Sequence, residues 1–142
     1  MPDDYLDGFS VAAWAEGWAR TLEGPTRPLT FVAVRDGAIV GLCRVATPSR
    51  DEDTGGVFAE FVAVYVSPDA WRSGIGTAMM SHALDRLRRD GWQAASLWVA
   101  DGNDRARRFY EELGFRLDGA RSVHRPSGAS EVRMRLPLAG PA

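Results

Sequence analysis

Cysteine is almost missing from this sequence. With Cys43 alone no internal disulfide can form, and one thiol inside an alternating apolar run reads as a small buried hydrophobe. Any long apolar run is missing too: the longest, residues 61–66, falls far short of the roughly 20 residues a spanning helix needs, so no membrane partner is expected. No basic stretch followed by an apolar one opens the chain, so no secretory signal is expected, and the cytoplasm is the natural compartment. Charge of one sign is also scarce. A net charge of −2 leaves no footprint for nucleic acid, and the arginine clusters at residues 86–89 and 105–108 read as solvated helix faces. No His, Cys or carboxylate spacing forms a metal site; His82 falls among exposed helical positions and His124 in a polar connection. What is present is the balance of a soluble globular protein, 45% hydrophobic and 25% charged. At 142 residues the chain holds one domain with a real core and is too short for two.

Taken in order, residues 10–22 look helical, with Ser10 as cap and Trp14, Trp18 and Leu22 recurring every four residues. Residues 29–34 and 39–45 flank Asp36-Gly37 and predict a β-hairpin. Residues 47–56, rich in Pro, Ser, Asp and Gly, read as an exposed loop that either folds over a substrate or does nothing. Residues 57–66 are apolar except for Glu60, which suits a strand covered on both faces, and Pro68 ends it. Residues 77–89 follow with Met80, Ala83, Leu84 and Leu87 on one helical face, stopped by Gly91. With residues 94–100 as a further strand, the order makes a parallel βαβ unit. A second helix carries Ala106, Phe109, Tyr110 and Leu113 and stops at Gly114. Residues 115–117 and 131–138 read as the last strands.

The stretch between strand and helix is Trp71, Arg72, Ser73, Gly74, Ile75, Gly76, Thr77. A short glycine loop there turns a row of backbone N–H groups toward one point in front of a helix N-terminus, where the helix dipole adds positive potential and a phosphate is welcome. Gly74 and Gly76 let an anion approach the amides, and Arg72 adds a charge. Two glycines in such a place are otherwise only a tight turn.

The second half of the chain resembles the GNAT acetyltransferase superfamily, whose members move an acetyl group from acetyl-CoA to an amine. The resemblance runs from about Glu60 to Phe115 and rests on Val66-Ser67-Pro68, Gly74-Ile75-Gly76, Asn103, and residues 109–115, Phe-Tyr-Glu-Glu-Leu-Gly-Phe. Each piece is common, and their order on these elements is specific. The family pattern begins its phosphate loop with Gln or Arg, where this chain has Trp71 and then Arg72. The resemblance implies an α/β fold of the three-layer α+β type: a mixed, mostly antiparallel twisted sheet with a central splayed pair of parallel strands, flanked by helices. Residues 62–66 and 94–99 would splay and admit the pantetheine arm of acetyl-CoA, whose amides would pair with the strand-edge groups of Val64 and Val66. The pyrophosphate would sit on Arg72, Ser73, Gly74, Ile75, Gly76 and Thr77, and Asn103 would hold the arm from the other strand, cap the second helix, or both.

Acetyl transfer needs an amine without its proton, a stabilised oxyanion and a proton for the departing thiolate. Glu60 is the candidate base, its position matching the glutamate base of the histone acetyltransferase branch, with burial acting to raise its pKa. The competing reading is a Glu at the strand entrance pointing to water. The glutamate that other members carry on the next strand is Trp98 here. Tyr110 is the candidate acid, or else part of the apolar helix face, and the oxyanion would meet a backbone N–H near Val64 or Tyr65. The expected function is N-acetyl transfer to a primary amine of a small molecule or peptide by direct attack in a ternary complex; the alternative is a non-catalytic CoA-binding or dimerisation module. The family's first strand and helix are expected to be absent, which would leave residues 29–34 as an unpaired edge and favour a homodimer.

Overall fold

The computed structural model describes residues 9–13, 29–124 and 128–138. These residues hold seven strands, β1 (Phe9–Ala13), β2 (Leu29–Arg35), β3 (Ala38–Ala46), β4 (Phe58–Val66), β5 (Ala94–Ala100), β6 (Arg116–His124) and β7 (Ala129–Pro137). Among the described residues two α-helices join them, α1 (Ile75–Arg89) between β4 and β5 and α2 (Asp104–Leu113) between β5 and β6. One sheet takes the order β1-β2-β3-β4-β5-β7-β6. Among these described strands only β4 and β5 run parallel, and every other neighbouring pair is antiparallel. This is the mixed, mostly antiparallel α/β sheet the resemblance implies, with the βαβ unit at its centre.

The hairpin of β2 and β3 closes on Asp36 and Gly37, both at positive φ, the turn whose twist matches that of the flanking strands. One strand lies outside it. Phe9–Ala13 pairs antiparallel with β2, Phe9 opposite Arg35 and Ala13 opposite Phe31. Two expectations are corrected by that pairing. Residues 10–13 are strand and not the first turn of a helix, and β2 is not an unpaired edge, so the argument for a homodimer through that edge is gone. Residues 14–22 of the expected helix lie outside the described residues. At the other end the last strands are longer than residues 115–117 and 131–138 suggested, because β6 continues to His124 past a register shift between Leu117 and Arg121.

Helix α1 buries Ile75, Met79, Met80, Ala83, Leu84 and Leu87, a stripe at helical spacing. These side chains share one core with Phe31 and Cys43 from the sheet, Leu97 of β5, Phe115 and Met134 of β7. No helix among the described residues is long and apolar enough to cross a membrane. Burial pushes the Cys43 thiol up from 9.0 to about 12. The unfolded chain then releases that proton first as pH rises. Stability is complete below about pH 9 and falls as pH climbs toward 12. A urea midpoint measured from pH 7 to 11 should be flat and then decline, and Cys43→Ala should make the decline shallower.

Candidate active site

The parallel ladder between β4 and β5 is short. It runs from Phe58 opposite Ala94 to Phe61 opposite Leu97 and then stops. A bulge sits at that point: Val45 faces Phe61 while Arg44 faces Ala63, so Val62 is the extra residue. Before it Ala59 and Phe61 point into the core; after it Val64 and Val66 pack on the core while Ala63 and Tyr65 are exposed. The strand has changed faces and left β5. On β5 the separation covers Trp98 to Ala100, which stay paired with β7, whereas Ala94 to Leu97 remain zipped to β4. The opening is thus shorter on that side than residues 94–99.

Strand alternation decides which backbone groups face the opening. Ser67 N donates to Val40 O at 2.7 Å, so Ser67, Tyr65 and Ala63 spend their backbone groups on β3. The N–H and C=O of Val64 and Val66 therefore turn the other way. For Tyr65 this is a correction: its amide belongs to the β3 ladder, and only its half-exposed ring borders the cleft. For Val66 the correction is partial, because its carbonyl already accepts the indole Nε1–H of Trp71 at 2.8 Å.

Beyond β4 a short 3-10 turn, Pro68–Ala70, leads into the glycine loop. Arg72 takes φ 62 and Gly74 φ 87, so the chain doubles back tightly before α1, and Gly74 is the N-cap. Ala78 N reaches Gly74 O, which leaves the N–H groups of Gly76 and Thr77 without an intrahelical acceptor at the cleft floor. A Cβ on Gly76 would come within 3.3 Å of Phe109 and of Val66, so this position is tight as well as open to a ligand. Ile75 behaves differently from its neighbours: its side chain is fully buried and its N–H points at Ser73 Oγ, a long 3.4 Å contact. Ser73 in turn donates its hydroxyl to Ala70 O. Both serve the shape of the loop.

Asn103 caps α2, its side-chain oxygen accepting from Ala106 N at 3.2 Å, and it also lines the cleft. The resulting cavity is about 680 Å³ and joins Val64, Val66, Arg72, Gly74, Gly76, Thr77 and Asn103. Sequence reasoning missed Arg105 and Phe109 on α2 as wall residues; their spacing of four, which puts them on one helix face, was the available signal.

The model of the acetyltransferase (GNAT) family matches residues 2–115. This chain belongs to that family. It is 34% identical over 101 residues to a mycothiol acetyltransferase of Sanguibacter keddieii, a match covering 70% of this chain and 32% of that protein. The chain thus spans about a third of the length of the curated relative it matches. Among solved structures, the ribosomal-protein-S18-alanine N-acetyltransferase of Escherichia coli has a TM-score of 0.72 at 20% identity, covering 94% of this chain and 96% of its own. A putative acetyltransferase of Salmonella typhimurium, solved with acetyl-CoA, has a TM-score of 0.66 at 22% identity, covering 81% of this chain and 67% of its own. These likenesses concern the fold.

In this family member the two candidate catalytic residues stand apart from the cleft wall. Glu60 lies on β4 just before the bulge and is 1% exposed, which removes the reading of a side chain pointing to water. Its Oε1 accepts from Ser49 Oγ, Arg50 N and Arg50 Nε, and its Oε2 accepts from Arg50 Nη2 at 2.8 Å. Tyr110 packs on Phe115 and Phe109. Burial pushes its phenol up to about 12, so it keeps its proton throughout the neutral range.

A second charged cluster pins residues 47–56, which are therefore no free loop. Arg133 of β7 donates Nε to Asp118 at 2.6 Å, both Nη atoms to Asp53, and Nη1 to Asp51 at 3.3 Å. Asp51 also accepts the indole N–H of Trp98 at 2.9 Å, and the Arg133 guanidinium lies 5.6 Å from that ring. The carboxylates together hold the guanidinium charged. Trp98 stands one residue past the last β4–β5 pair, so the cluster fixes the lip of the opening on the face opposite the helices.

Proposed function

We propose that the protein transfers an acetyl group from acetyl-CoA to a primary amine of a small molecule or peptide, the amine attacking directly in a ternary complex. One observation carries the reading. The parallel ladder ends at a bulge that opens a cleft, and that cleft ends at the two unpaired amides of a helix N-terminus beside Arg72. The residues present fit a thioester on a long amide-bearing arm with a pyrophosphate: the Val64 C=O and the Val66 N–H for the amides, and Gly76, Thr77 and Arg72 for the phosphates.

Within that reading the chain's own groups divide the work. The Val64 N–H, turned to the opening, supports the oxyanion; the Tyr65 N–H does not, being used by β3. Tyr110, protonated at neutral pH, supplies the proton to the leaving thiolate. Glu60 takes the proton from the amine, directly or through water. A primary ammonium has a pKa near 10.4, so at pH 7 removing its proton is a real part of the barrier. The acceptor approaches from the face where Trp98 and the arginine-pinned residues 47–56 form the lip. The family relation to named acetyltransferases supports the acetyl transfer itself.

A non-catalytic CoA-binding module is favoured by one fact: the oxygens of Glu60 are already engaged by Arg50 and Ser49. Release of the CoA thiol from acetyl-CoA, followed against a panel of polyamines, aminosugars and peptide N-termini, separates the two. Turnover with at least one amine is expected. Glu60→Gln should then lower kcat by a factor of about 10² to 10⁴ with acetyl-CoA affinity unchanged. A kcat within a few-fold of wild type would confine Glu60 to holding Arg50.

A further inference from the structure

Trp71 stands where the family pattern has Gln or Arg, and the structure gives its indole two contacts. Its indole N–H is hydrogen-bonded to Val66 O at 2.8 Å, and the Arg105 guanidinium lies 4.5 Å from its ring centroid. Trp71 belongs to the loop leaving β4, whereas Arg105 belongs to the first turn of the helix that follows β5. The two side chains meet across the gap between the diverging strands, and both line the cleft.

We propose that Trp71 sets the affinity of the cleft for acyl-CoA: its indole N–H occupies the Val66 carbonyl and, stacked against Arg105, spans the opening, so that an entering acyl-CoA displaces it. The inference rests on the acetyl-CoA reading above. An extended ligand joins a strand edge by exchanging its amide N–H and C=O with those of alternate residues. At β4 those residues are Val64 and Val66, and one of the two acceptors is already taken by the protein's own side chain. Arg72, the residue after Trp71, sits in the left-handed region at φ 62, a conformation unusual for a long side chain and one that turns the chain back toward β4. When the indole leaves, Arg105 loses its stacking partner at the mouth of the cleft and its guanidinium becomes free for a phosphate oxygen. Part of the ligand's own interaction is then spent on displacement, and the measured affinity is lower than the cleft could give.

Trp71→Phe removes the N–H donor and keeps a ring under Arg105. By calorimetric titration the variant should bind acetyl-CoA about two- to tenfold more tightly than wild type, the equivalent of one hydrogen bond no longer opposed. In wild type labelled at tryptophan nitrogens, the Trp71 indole signal should shift and lose hydrogen-exchange protection at saturating acetyl-CoA; this measurement needs no variant to fold. Equal or weaker binding by Trp71→Phe overturns the inference, as does an indole signal unchanged at saturation. In either case binding itself has been seen and the acetyl-CoA reading stands. Binding by the variant where wild type shows none supports the displacement outright. If neither protein binds acetyl-CoA, the parent reading fails and the inference goes with it.

Discussion

Gly74→Glu should abolish the acetyl-CoA response while leaving a folded protein. The substitution places a carboxylate at the N-cap of α1, beside the Gly76 and Thr77 amides and Arg72. The new side chain satisfies those donors itself and repels a phosphate from them. Loss of charge-assisted contacts of this kind is worth on the order of 3 kcal/mol, or about a hundredfold in affinity. Because Gly74 has φ 87, any side chain there also adds strain of about 1–2 kcal/mol, which for a domain of this size lowers Tm by several degrees. Gly74→Ala carries the strain without the charge and serves as the control. In a thermal-shift series with acetyl-CoA, wild type and Gly74→Ala should be stabilised by ligand and Gly74→Glu should not. A Glu variant that binds as well as wild type would mean that the anion sits elsewhere.

The largest loss of stability is expected from Arg133→Leu. The Arg133 side chain is 8% exposed and its partner Asp118 is 3% exposed, so removing the guanidinium leaves a buried carboxylate without a counter-charge. Breaking one side of a buried pair costs about 3–5 kcal/mol, equivalent to a fall in Tm of roughly 10 °C. Asp51 and Trp98 lose their anchor at the same time. The double variant Arg133→Leu/Asp118→Leu should recover much of the loss, since it removes the stranded charge as well. If the single variant unfolds at the wild-type temperature, the cluster contributes nothing net and the lip is held by packing alone. Acetyl-CoA binding of the single variant, measured below its lowered Tm, should stay near wild type, because the cleft lies on other residues.

Much of the centre of the molecule could be read from the residues. Residues 57–100 carry their own signals: an apolar strand, a glycine loop, a helix stripe and a second strand, each decided within a dozen positions. The N-terminal strand could not be read, because Phe9–Ala13 is five residues long and the Trp14, Trp18 and Leu22 spacing outweighed it. The far half of β6 was hidden for a different reason. It is polar, it contains Gly119, and its extended form depends on β7 across a register shift. Pairings between distant residues were the least legible. That Glu60 is buried was one of two readings its apolar neighbours left open, and its partner Arg50 was in neither. Nor did anything local announce that Arg133 would collect Asp51 and Asp53 from about 80 positions away. Trp71 was visible only as a departure from a pattern, since its acceptor is a backbone carbonyl.

The extra residue at Val62 has a consequence of its own. A strand that keeps strict alternation belongs to one surface on each side for its whole length, and its neighbours can follow it to the end. Here one surplus position shifts the reading frame of side chains halfway along β4, so the first half serves the closed part of the sheet and the second half serves the opening. The cleft is therefore encoded by counting and not by the chemistry of any particular residue. Exchanges among β-forming residues along this strand act on packing. A single insertion or deletion would instead turn Val64 and Val66 outward and Tyr65 inward, and would redraw the site.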